Sequence, residues 1–92
     1  MTAEVVLPGV LADLAGGAKH LTVDGGGSLA DLLDGLAARH PLLARRIRDE
    51  TGAVRRFVNL YVDGDDVRFG QGLATPVPDG AVVQVLPSVA GG

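Results

Sequence analysis

At 92 residues the chain has room for one domain, and with 47% apolar residues it can bury a core rather than remain disordered. It holds no cysteine, which excludes disulfides, thiolate zinc sites, cysteine-ligated iron–sulfur clusters and cysteine nucleophiles. A net charge of −3 and 3% aromatic residues argue against nucleic acid as a partner, and no apolar run reaches membrane-spanning length.

In chain order, Ala3 to Leu7 reads as a first strand stopped by Pro8-Gly9. Val10 to Ala18 reads as a loop with room for a turn of helix, ending in Gly16-Gly17. His20 to Asp24 is a second short strand, and the two strands form a hairpin-like pair. Gly25-Gly26-Gly27 then breaks the chain. Ser28 has the character of a helix N-cap, with Asp31 near the positive end of the helix dipole. Leu29, Leu32, Leu33, Leu36 and Ala37 recur at helical spacing and give one apolar face. The helix is expected to stop near His40, because Pro41 disfavours helical geometry in the residue before it. Leu42 to Arg48 is a shorter helical stretch, and Asp49 to Ala53 a polar loop.

Arg55 to Val62 is the clearest strand, with Val58, Leu60 and Val62 on one face and Phe57, Asn59 and Tyr61 on the other. Asp63-Gly64-Asp65-Asp66 is a turn, Val67 to Phe69 a short strand, and 70–80 an irregular stretch. Ala81 to Leu86 is the last strand, ended by Pro87, and residues 88–92 form a tail. The order strand, strand, helix, strand, short strand, strand calls for a sheet with one face covered by a single amphipathic helix. The expected class is α+β, a mixed sheet wrapped around one main helix in the β-grasp arrangement. One domain over 1–87 carries a flexible tail over 88–92.

Gly91-Gly92 is the feature with the clearest chemistry. Chain ends are commonly inert, but this tail leaves a strand directly after Pro87, so its base is tied to the sheet. Five extended residues reach at most about 17 Å, enough to carry a carboxylate into another protein's active site. Glycine lets such a tail pass a narrow channel. Activated as an acyl-adenylate and then attacked by a sulfur donor, a terminal carboxylate becomes a nucleophilic thiocarboxylate without any cysteine on the chain.

Other patterns have plainer readings. Gly25-Gly26-Gly27-Ser28-Leu29-Ala30 fits a loose dinucleotide-binding pattern, but one helix cannot build the βαβ unit that pattern needs. Asp63, Asp65 and Asp66 lack the glutamate an EF-hand places at its twelfth position, where Ala74 stands. Arg45, Arg46, Arg48, Arg55 and Arg56 read first as a solvated helix face and strand start, and second as a contact for an acidic partner. His20 and His40 have no paired ligands, no Ser/His/Asp set stands out, and no catalytic residue or metal site is expected. The start Met1-Thr2-Ala3-Glu4 lacks the features of a secretion signal, so a cytoplasmic location is expected.

The stretches Arg56-Phe57-Val58-Asn59-Leu60-Tyr61-Val62, Asp66-Val67-Arg68-Phe69 and Gly72-Leu73-Ala74-Thr75 resemble the CysO-type members of the MoaD/ThiS family of ubiquitin-like sulfur carriers. So does the ending Val85-Leu86-Pro87-Ser88-Val89-Ala90-Gly91-Gly92, and Pro8, Leu11, Gly16-Gly17 and Lys19 also fit. The diglycine is shared across the superfamily; the middle motif is what favours the CysO type.

The resemblance implies a carrier that holds no cofactor of its own. An adenylyltransferase/sulfurtransferase of the ubiquitin-activating type adenylates Gly92 with ATP, and sulfur transfer gives the thiocarboxylate. In the CysO type the acceptor is a pyridoxal-phosphate-dependent cysteine synthase, and a metallopeptidase regenerates the carrier. Other carriers feed sulfur into thiosugars or other natural products. Val89, Ala90 and Gly91 then form the tail that delivers Gly92. The expected docking surface is the outer face of the sheet, with Phe57, Tyr61 and Leu86, since the all-aliphatic face suits the core. Three rivals stand beside this reading: a protein modifier conjugated through Gly92, the small subunit of molybdopterin synthase, and a plain interaction domain whose tail is inert or plugs a partner's site.

Overall fold

The computed structural model describes residues 1–87, and its first and last strands lie side by side in the middle of one sheet. The elements run β1 (Thr2–Val6), α1 (Gly9–Ala12), β2 (His20–Asp24), α2 (Leu29–Arg39), α3 (Pro41–Ile47), β3 (Val58–Val62), β4 (Asp65–Asp66) and β5 (Val82–Pro87). Short 3-10 turns occupy Asp13–Ala15, Val67–Phe69 and Gly72–Ala74. The sheet order is β2-β1-β5-β3-β4. β1 pairs antiparallel with β2 and parallel with β5, and β5 pairs antiparallel with β3. This is the mixed sheet around one main helix that the element order called for.

Alternation within the strands sorts the two faces. Ala3 and Val5 of β1, Val23 of β2, Val58, Leu60 and Val62 of β3, and Val83 and Val85 of β5 are all buried. Against them lie Leu29, Leu32, Leu33 and Leu36 of α2, with Leu43 and Ile47 of α3 beside them. No charged or polar residue is buried in this core among the described residues. The aliphatic face therefore lies under the helices, where burial of apolar area drives assembly at roughly 25 cal/mol per Å².

Helix α2 starts where Ser28 stands because the cap is reciprocal. Ser28 Oγ accepts from the Asp31 N–H at 3.2 Å, and Asp31 Oδ2 accepts from the Ser28 N–H at 3.1 Å. The glycines before it cross the 75–77 segment: the Gly26 N–H donates to the Val77 carbonyl, and the Leu29 N–H to that of Thr75. Gly26 has φ +89°, which a side chain would resist. These bonds define the glycine run as a clamp for the helix start. At the other end His40 leaves helical geometry (φ −136°, ψ 73°), as a residue before proline does, and Pro41 opens α3.

Several boundaries differ from the expectation. The strand predicted from Arg55 begins only at Val58. The Arg55 N–H is taken by the Ile47 carbonyl at 2.9 Å, and the Val58 N–H closes a turn onto the Arg55 carbonyl at 3.1 Å. Phe57 sits in that turn and not on the strand. Val67 to Phe69 is a 3-10 turn instead of a strand, because Asp66 Oδ1 accepts from the Arg68 N–H and holds the chain bent. Pro87 is the last residue of β5, opposite Val58, rather than the residue after the strand. The turn of helix that 10–18 allowed is present as Gly9–Ala12, and a 3-10 turn over Asp13–Ala15 follows it where loop was expected.

Candidate functional site

Everything proposed for the tail depends on where β5 ends. β5 is the central strand, bonded on both sides, and Val83 and Val85 are fully buried. The β1 ladder accompanies β5 as far as Gln84 and the β3 ladder as far as Pro87, so the chain reaches Pro87 still tied to the sheet on one side. Residues 88–92, which include Val89, Ala90, Gly91 and Gly92, lie outside the described residues.

The three residues expected to form a docking surface divide between two places. Leu86 and Tyr61 share the outer face of the sheet. Leu86 is directly opposite Asn59, and Tyr61 is opposite Gln84, so the two are diagonal neighbours across β3 and β5. Leu86 is exposed and Tyr61 half-buried. Asn59, between them, has its Oδ1 buried with no hydrogen-bond partner among the described residues. An acceptor left in that condition is costly unless something supplies a donor.

Phe57 is exposed, but the turn at Arg55–Val58 carries it past the end of the sheet. There it lines a groove of about 490 Å³ together with Val10 and Pro87 on its apolar side and Arg45, Arg46 and Arg55 on the other. Arg55 is brought there by a bond from its Nε to the Arg45 carbonyl. Sequence reasoning missed Val10, which is 70% exposed on α1. The residues alone held no signal for it, since Leu11 and Ala12 on the same short helix are buried. Phe69 was placed on a strand, yet it is 87% exposed on its 3-10 turn, with the Arg68 guanidinium 5.9 Å from its ring centre.

In the acidic hairpin at Asp63–Asp66, the carboxylates of Asp63 and Asp66 are engaged in hydrogen bonds. Asp63 Oδ1 accepts from the Val82 N–H at 2.9 Å. Bonds from the Arg68 N–H and side chain hold the Asp66 carboxyl below the ordinary aspartate range. Asp49 is lowered too, first by the Thr51 hydroxyl and then by the Thr51 N–H. His20 bonds Glu4 across β1 and β2 at 2.6 Å, and Arg48 bonds Asp34 at 2.7 Å. No helix among the described residues is long and apolar enough to cross a membrane, and they hold no cluster of three potential metal ligands.

Comparison with known proteins places this geometry. The ThiS family matches residues 5–92. Across 94 aligned positions that cover all of both chains, the sequence is 39% identical to the sulfur carrier protein CysO of Mycobacterium tuberculosis. The crystal structure of CysO from that organism superposes with a TM-score of 0.85 at 37% identity, covering 95% of this chain and 99% of the other. A crystal structure of the Amycolatopsis orientalis BexX/CysO complex contains a chain that matches with a TM-score of 0.83 at 36% identity, covering 98% and 99%. Small archaeal modifier protein 3 of Haloferax volcanii is 39% identical over 70 residues, 76% of this chain and 75% of that protein. With the ubiquitin-like sheet, the central last strand and a family match over nearly its whole length, the chain belongs to the ThiS family of sulfur-carrier proteins.

Proposed function

We propose that the chain is a sulfur carrier that acts through the carboxylate of Gly92. The observation that supports this most directly is the strand that precedes the tail. β5 is central, buried as far as Val85 and paired with β3 through Pro87, so the last described residue before Gly92 is tied to the sheet. The likeness to CysO along the full chain points the same way.

In this reading the Gly92 carboxylate attacks the α-phosphate of ATP in an adenylyltransferase of the ubiquitin-activating type and displaces pyrophosphate. Sulfide, or a persulfide followed by its reduction, displaces AMP from the acyl-adenylate and leaves a thiocarboxylate. The acceptor is a pyridoxal-phosphate-dependent cysteine synthase or another sulfur-accepting synthase. A metallopeptidase regenerates the carrier in the former case. The carrier is a cytoplasmic co-substrate throughout and contributes no catalytic residue. Leu86 and Tyr61, neighbours on the outer face of the sheet, dock on the enzymes.

Intact-protein mass spectrometry tests this. Incubation with ATP, sulfide and the host's adenylyltransferase is expected to add about 16 Da at the C-terminal peptide, one oxygen exchanged for sulfur on an activated carboxyl. Removal of Gly91 and Gly92 abolishes the gain. A carrier that stays unmodified while the enzyme consumes ATP with its own substrate refutes the reading. The likeness to a small archaeal modifier favours one alternative, conjugation of Gly92 to lysines. That outcome is recognised by conjugates of higher mass in place of the sulfur exchange.

A further inference from the structure

The groove at the end of the sheet combines three features that the core and the outer face do not explain. Its walls are half apolar, with Val10 70% and Phe57 54% exposed. Its other wall carries Arg45, Arg46 and Arg55, and among the described residues no acidic side chain lines it. It also reaches Pro87, the last residue before the tail.

The charges are concentrated here against the trend of the molecule. The chain as a whole is at −3, yet three of its eight basic residues line this groove. The other arginines nearby are compensated: Arg48 is paired with Asp34, and Arg55 lies close enough to Asp49 to help lower its pKa. Arg45 and Arg46 make no ion pair among the described residues, and both are exposed. Like charges held on one helix turn repel, and that repulsion is relieved when a negative group arrives. Exposed phenylalanine and valine beside them supply apolar area that water solvates poorly.

We propose that this groove docks an acidic segment of the activating enzyme, one that places carboxylates against Arg45 and Arg46 and an apolar side chain against Phe57 and Val10. The proposal rests on the sulfur-carrier reading for the identity of the partner. Position supports it: an enzyme that takes the tail into its active site must approach Pro87, and the groove opens beside that residue. The contact lies on the helix side of the sheet, so it adds to the Leu86–Tyr61 face instead of replacing it. Two contact areas on either side of one strand end fix the direction in which the tail leaves, which a single patch cannot do.

The experiment is steady-state kinetics of thiocarboxylate formation, with the adenylyltransferase that modifies the wild-type chain. Arg45→Glu/Arg46→Glu is expected to raise KM for the carrier about tenfold or more with kcat held within twofold, the pattern of lost docking. The wild-type KM is expected to rise between low and moderate salt, and that dependence to flatten in the double variant. Phe57→Ala raises KM without changing the salt dependence. Arg45→Lys/Arg46→Lys restores most of the affinity. Lys19→Glu makes a single charge reversal at an exposed residue that does not line the groove and is expected to leave KM within twofold. Circular dichroism melts of each variant confirm the fold.

A wild-type chain that is converted normally, with a double charge-reversal variant of unchanged KM, overturns the proposal. So does a Lys19→Glu effect as large as that of the groove, which reduces the effect to overall charge. A fall in KM on charge reversal also overturns it, since it assigns the groove to a basic partner or to the chain's own carboxylate. Failure of the wild-type chain to gain sulfur is a different result and refutes the functional reading instead.

Discussion

Asp63 is the residue whose substitution tests the local physics of this fold most sharply. It has φ +50°, the one non-glycine among the described residues in the left-handed region, and Gly64 follows at φ +90°. The two form the loop between Val62 and Asp65, and a positive φ at both positions is what a tight hairpin turn of this twist requires. The side chain also works: its Oδ1 accepts from the Val82 N–H at 2.9 Å, while its own N–H donates to the Val82 carbonyl at 2.8 Å. Alanine removes the side-chain bond, at about 1 kcal/mol for an exposed pair, and meets the left-handed cost of about 1 kcal/mol that aspartate tolerates better. Asp63→Ala is therefore expected to destabilise by about 2 kcal/mol. In a domain of this size that lowers Tm by about 8–16 °C.

Asp63→Gly loses the bond but not the turn geometry, so about 1 kcal/mol is expected, including the greater freedom of the unfolded chain. Asp63→Asn keeps both and is expected within about 0.5 kcal/mol of the wild type. Urea and thermal melts followed by circular dichroism give the ranking Asn, Gly, Ala. Equal losses for glycine and alanine would show that the left-handed backbone carries no cost here. An asparagine variant as weak as alanine would refute the role given to the side-chain bond.

Three other outcomes follow from the same structure. Ser28→Ala removes one arm of the reciprocal cap on α2 and is expected to cost about 1 kcal/mol, with Ser28→Asp nearly neutral, read from urea midpoints. Leu36→Ala empties a fully buried site between helix and sheet and is expected to cost about 3 kcal/mol, so the variant melts well below the wild type yet folds at low temperature. The Asp49 carboxyl is held below its ordinary value, chiefly by the Thr51 hydroxyl. A carboxyl lowered on folding contributes stability that is present above its unfolded pKa and is lost as pH falls through its folded one. Its midpoint in a carboxyl-detected NMR titration is expected below the ordinary aspartate range and to rise in Thr51→Ala; an unmoved midpoint would exclude the hydroxyl as the cause.

Much of this was legible in the residues because it depends on short-range rules. Ser28, the Leu29–Leu36 spacing and Pro41 define α2 without reference to anything outside it, and the structure places its ends as expected. The alternation of Val58, Leu60 and Val62 identified the core face of β3, because a strand shows opposite faces at alternate residues wherever it lies in a sheet. The absence of cysteine removed whole classes of chemistry at once, and the diglycine with its preceding Pro87 directed attention to the chain's end.

What the tertiary structure alone decided is how separate segments meet. Phe57 looked like a strand residue in a pattern of alternation, and the bond from the Arg55 N–H to the carbonyl of Ile47, at the end of α3, is what turned it out of the sheet. Val67 and Phe69 have β propensity, but the Arg68 N–H donates to the Asp66 carboxylate and bends them into a turn, and propensity is weak beside a fixed hydrogen bond. The groove joins residues from α1, α3 and the ends of β3 and β5, positions up to 77 apart in sequence. Local patterns determine which face of each element is apolar. Only closure of the sheet, with β5 between β1 and β3, determines which exposed residues become neighbours, because that pairing minimises the apolar area left in water over the whole chain at once.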